Sequence, residues 1–114
     1  RAHCERLGTD FSAITRSSNF NTVIAETDAE VQTKLNDYEA RLGRFLSAAK
    51  AAEVVAPYRD DSTDALAGTP EQIVEALRER EALGLGYAIH YFPESAYDRS
   101  GAALFERTVI PALT

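Results

Sequence analysis

The stretch Phe20-Asn21-Thr22-Val23-Ile24-Ala25, followed after one residue by Thr27-Asp28-Ala29-Glu30, reads as a buried strand passing straight into a capped helix. Its β-branched and aromatic residues favour extended backbone. Val23-Ile24-Ala25 is apolar on both faces, as in a parallel sheet covered above and below. Thr27 can accept a hydrogen bond from the Glu30 amide, with the Glu30 side chain reaching back in a capping box. Val31, Leu35, Tyr38 and Leu42 then recur at helical spacing until Gly43.

Downstream, Arg44 to Val55 is Ala-rich and expected to be helical, with Phe45, Ala48, Ala49 and Ala52 on a narrow apolar stripe. Pro57 to Ala67 reads as a polar connector. Its Asp60-Asp61-Ser62-Thr63-Asp64 run has carboxylates but lacks the Gly and late Glu spacing of a calcium loop, so no metal site is expected. The clearest local signal follows in Gly68-Thr69-Pro70-Glu71-Gln72. Thr69 is a preferred N-cap, Pro70 suits the first helical turn, and Gln72 completes a capping box. Ile73, Ala76, Leu77 and Leu83 mark the buried face of that helix, and Gly84 ends it. Tyr87 to Phe92 reads as a second strand stopped by Pro93. A last helix runs from about Ser100 to Thr114, with Pro111 in its final turn.

Upstream, His3 to Leu7 reads as a helix tail ended by Gly8, and a strand entry near Ile14 or Phe20 follows. The predicted order is strand, helix, helix, helix, strand, helix. Such alternation argues for an α/β fold with parallel strands. Two strands and about four helices make a poor sheet by themselves, so the chain is expected to be a single partial domain, a slice of a larger β/α structure.

Composition narrows the function classes. The chain has 114 residues, 45% of them hydrophobic and 26% charged, which is ordinary for a globular domain. Its formal net charge is −6, and an acidic surface argues against nucleic-acid binding. No apolar stretch approaches the roughly 20 residues needed to span a bilayer. Cys4 stands alone, which fits a reducing cytoplasm. The chain begins at Arg1 without an initiator Met, compatible with a partial chain.

Three stretches resemble one family. Leu7-Gly-Thr-Asp-Phe-Ser-Ala-Ile-Thr-Arg-Ser17 is similar to the segment entering a late barrel strand of luciferase-like monooxygenases, although Thr9 and Phe11 stand where that family has Arg and Pro. Gly68-Thr-Pro-Glu-Gln-Ile73 with Leu83-Gly-Leu-Gly-Tyr-Ala-Ile89 is similar to its helix and last barrel strand. Tyr91-Phe-Pro-Glu-Ser-Ala-Tyr-Asp-Arg-Ser-Gly101, ending in Leu104-Phe-Glu-Arg-Thr-Val-Ile-Pro-Ala-Leu113, resembles the closing segment of a subgroup assigned to the deazaflavin coenzyme F-420.

The resemblance implies the C-terminal part of a TIM (β/α)8 barrel. It also implies a flavin- or deazaflavin-dependent oxidoreductase or monooxygenase, with F-420 or alternatively FMN as cofactor and a small-molecule substrate. It places the chain over about the last third of such a barrel, without most cofactor-contacting loops. The segment alone is therefore expected to hold no cofactor and to be catalytically incomplete. The alternative is a non-catalytic truncated barrel module that self-associates through open strand edges, and a homo-oligomer is expected either way. A small helical adaptor is a third possibility.

Candidate pocket residues are His90, Phe92 and Glu94. Alternation puts His90 and Phe92 on one strand face and Ile89 and Tyr91 on the other. His90 on an inward face could bond a substrate or cofactor carbonyl, or act as acid or base; its plain reading is a packed imidazole with a partner. Glu94 and Phe92 fall near the C-terminal mouth, where barrel active sites form. Arg16 and Ser17 either precede a strand beginning near Phe20 or open a longer one starting at Ile14, in which case they fall toward its N-terminal, stability-determining end.

Overall fold

The computed structural model describes residues 1–60 and 64–114. A short helix α1 (Ala2–Leu7) precedes β1 (Ser17–Ile24), α2 (Asp28–Leu42), α3 (Ala48–Arg59), β2 (Ala65–Gly68), α4 (Pro70–Ala82), β3 (Tyr87–Tyr91) and α5 (Ser100–Leu113). The three strands form one sheet in the order β2-β1-β3. Both pairings are parallel: Asn21 to Ile24 run beside Ala65 to Gly68, and Ser17 to Asn21 run beside Tyr87 to Tyr91.

The expected capping signals place the helices. Thr27 Oγ1 accepts from the Glu30 amide at the start of α2. At α4 the box closes in both directions, with the Thr69 hydroxyl accepting from the Gln72 amide and the Gln72 side chain accepting from the Thr69 amide.

β1 is the spine of the core. Phe20 and Ile24 point to one face and pack with Ile73 and Leu77 of α4 and with Leu104, Phe105 and Val109 of α5. Val23 and Ala25 point to the other face and meet Val31 and Leu35 of α2 and Val55 of α3. The period of two thus turns one apolar run into two cores.

Two expectations need correction. The sheet has three strands, because Ala65-Leu66-Ala67-Gly68, at the end of the supposed connector, pairs with β1. These residues have little intrinsic strand preference; burial of Ala65 and Leu66 and pairing with a central strand override it. The chain also forms an open sheet and no arc of a barrel. In a (β/α)8 barrel consecutive strands are neighbours and every helix lies outside. Here β2 and β3 flank β1 on opposite sides, with α2 and α3 on one face and α4 and α5 on the other. Parallel crossovers are almost always right-handed, so reversing the direction of travel across the sheet moves the helix to the opposite face.

Smaller differences have local causes. Pro57 lies inside α3 rather than beginning a connector, since near the helix end it forfeits only one backbone bond. Ala51 and Val55 form the buried stripe of α3, while Phe45 sits in the preceding turn, 81% exposed. Leu83 caps α4 and is exposed. Of the expected calcium-free acidic loop, Asp61, Ser62 and Thr63 lie outside the described residues. Among the described residues, no helix is long and apolar enough to cross a membrane.

Candidate functional site

The 2-1-3 strand order creates a point where the chain leaves β1 in opposite directions. In open α/β sheets, ligands bind outside the carboxyl ends of the strands at such a switch. In this chain that edge, between the ends of β1 and β3, carries Glu94. Pro93 stops β3 from continuing, and the chain folds over so that the Tyr97 and Asp98 amides both donate to the Glu94 carbonyl. Glu94 is only 9% exposed, and its side chain accepts from Lys34 Nζ of α2 at 2.7 Å. Lys34 also donates to Ser100 Oγ at 3.2 Å.

Gly101 makes this closure possible. A Cβ there would collide with the Glu94 carboxylate and crowd Lys34. Asp98 accepts from the Ser100 amide at 2.8 Å, a bond that fixes the entry to α5 and, with its Ser100 side-chain bond, lowers the Asp98 pKa. Beside it, the Arg41 guanidinium lies over the Tyr97 ring, 4.0 Å from its centroid. The polar groups at the switch satisfy one another.

His90 and Phe92 meet elsewhere, on the α5 face. The His90 ring stacks on Phe20 at 5.3 Å between centroids, tilts against Phe105 at 4.5 Å, and its neighbour Phe92 meets Phe105 edge-on at 5.4 Å. His90 Nδ1 lies 2.8 Å from Thr22 Oγ1. Thr22 is fully buried, and His90 is the partner its hydroxyl has. A sealed hydroxyl must donate, so Thr22 donates to Nδ1 and the ring proton resides on Nε2. Three candidates therefore separate into two places: an aromatic nest holding His90 and Phe92, and the closed ion pair holding Glu94. Arg16 and Ser17 lie at the opposite end of β1, where the Arg16 guanidinium rests over Phe11 and against Gly84, whose φ of 106° suits only glycine.

Burial lowers the His90 pKa below its ordinary value of 6.5. The unfolded chain then binds the proton more readily than the folded one. Stability should be full above about pH 6.5, decline as the pH falls below it, and level off once the folded-state pKa is passed. Urea midpoints across pH 4–7 check this, with carboxylate contributions removed by comparison with His90→Phe. Identical pH profiles for the two proteins would refute it.

Sequence reasoning missed Thr22 and Lys34. A hydroxyl among Phe20 and Ile24 on the apolar face of β1 was the available signal for Thr22. Lys34 sits beside Leu35 among ordinary helix-surface residues, and only the fold brings it to Glu94. Among the described residues, no group of three or more His, Cys, Asp or Glu side chains is placed to hold a metal ion.

No family model matches this chain, and no match to a curated protein or to a solved structure is found.

Proposed function

We propose that this chain is the C-terminal portion of a luciferase-like oxidoreductase, working on a small-molecule substrate with F-420, or alternatively FMN, and incomplete as a catalyst by itself. The observation that carries the reading is the stretch from Tyr91 to Leu113, with its resemblance to the closing segment of the F-420 subgroup. Its support in the fold is positional. That stretch comprises the end of β3, the Glu94 turn and α5, and it borders the carboxyl edge of a parallel sheet, where α/β enzymes hold their ligands.

The described residues around Glu94 at the carboxyl edge do not fit a flavin or deazaflavin. Lys34 and Glu94 neutralise each other, and Gly101 leaves no gap beside the carboxylate. A bound flavin or deazaflavin would supply the electron-accepting ring, and in this proposal its contacts come from residues outside the chain. The reading also carries a topological requirement. In a completed barrel β2 would stand between β1 and β3, so β3 would exchange its pairing with β1 for one with β2.

A second reading, a non-catalytic module that self-associates, is favoured by one observation. β3 is an edge strand whose outer face presents Tyr87, Ile89 and Tyr91, all exposed. Apolar edge strands are templates for pairing with another copy.

One titration separates the readings, with F-420 or FMN fluorescence and light scattering followed together. The 114-residue chain should leave both fluorophores unchanged up to about 100 µM, the weak end of ordinary cofactor affinities. The same chain joined to coding sequence preceding Arg1 should bind one of them at micromolar concentrations. Failure of both proteins to bind would sink the oxidoreductase reading, and a dimer mass would then favour the module. Binding by the short chain would sink the claim that it is incomplete.

A further inference from the structure

A cleft of about 300 Å³ opens on the helix-covered face between the end of α4, the start of β3 and the last turns of α5. Leu85, Tyr87, Phe105, Ile110 and Leu113 line it, with His90 as its neutral polar ring. An apolar space of roughly 150 Å³ already accommodates a benzene ring, and small-molecule sites begin near 300 Å³. The cleft therefore suits one substituted ring or a compact bicyclic molecule.

His90 supplies direction. With Nδ1 committed to the buried Thr22 hydroxyl, Nε2 is left as a donor. Among the described residues, Arg16 Nε is the sealed side-chain polar atom without a partner, so His90 Nε2 is not shut into the core. Among the described residues, Glu81 is the charged side chain lining the cleft, and the chain carries a formal charge of −6, so an anion is disfavoured.

We infer that this cleft is a binding site for a small, neutral aromatic molecule bearing a hydroxyl or carbonyl oxygen, which accepts a hydrogen bond from His90 Nε2 while its ring packs among Leu85, Phe105 and Leu113. The site lies on the α4–α5 face, away from the carboxyl edge that the oxidoreductase reading uses, and it stands or falls separately. Ile110 at its border, substantially exposed, buries apolar surface when the ligand enters.

The test uses the whole chain and two probes of matched shape, para-fluorophenol and para-fluorotoluene, followed by fluorine NMR. Para-fluorophenol should bind saturably, and para-fluorotoluene about fivefold more weakly, the worth of one net hydrogen bond. Nitrogen spectra of the imidazole should show Nδ1 unprotonated, with the Nε2 resonance moving on titration. Ala88 is an exposed cleft residue, so Ala88→Leu fills the space without entering the core. This variant, folded by circular dichroism, should lose binding at least tenfold. Equal affinities for the two probes, an unmoved Nε2 resonance, or undiminished binding by Ala88→Leu would each overturn the assignment.

Discussion

Phe20→Ala should lower the free energy of unfolding by about 3–5 kcal/mol, the usual cost of removing a buried phenylalanine from a close-packed core. Phe20 is 1% exposed and stands on the central strand, where it supports the imidazole of His90 and packs with the α4–α5 core. Arg80 lies over it, its guanidinium carbon 5.4 Å from the ring centroid. Truncation removes apolar burial and unseats two polar side chains at once. The loss should appear as a lower urea midpoint at unchanged slope. Phe45→Ala is the control, since that ring is 81% exposed and should change stability by no more than about 0.5 kcal/mol. A Phe20→Ala cost below about 1.5 kcal/mol would mean that the α4–α5 face of the sheet is not the principal core.

Lys34→Met should cost about 2–4 kcal/mol. Breaking a buried ion pair from one side typically costs about 3–5 kcal/mol because a charge stays behind unpaired. The lower range reflects the access these side chains keep, 18% and 11% exposed. What remains is a largely buried Glu94 carboxylate without its cation, beside Gly101. The double variant Lys34→Met/Glu94→Gln should recover most of the loss, since the intact pair contributes little beyond its own desolvation. Equal instability in single and double variants would show that Lys34 acts through packing of its stem. A cost below about 0.5 kcal/mol in the single variant would place the pair in solvent.

Much of the fold was legible wherever one local rule governed. The run from Phe20 to Ala25 announced a doubly covered strand, and Thr69-Pro70-Glu71-Gln72 announced the start of a helix to the residue. The strand Ala65–Gly68 was hidden because its Ala, Leu and Gly residues are extended only through their pairing with β1. The open sheet was hidden for a related reason, as no local signal states on which side of β1 the last strand will lie. His90 and Phe92 sharing a face followed from alternation alone. The partners Thr22 and Lys34 did not, lying 68 and 60 residues from His90 and Glu94 in the chain. Sequence patterns place a residue on a face, while its long-range partner depends on the whole topology.

The central position of β1 has a consequence for synthesis. This strand leaves the ribosome before either of its neighbours, and the Thr22 hydroxyl waits a further 68 residues for His90. At translation speeds of roughly 5–20 residues per second, the central strand spends several seconds with both edges unsatisfied. The helical pair α2–α3 emerges directly behind it and can shield Val23 and Ala25 during that interval. The Phe20 and Ile24 side has no such early cover. A nascent chain paused before α4 should for that reason recruit holdase chaperones through this one face of β1.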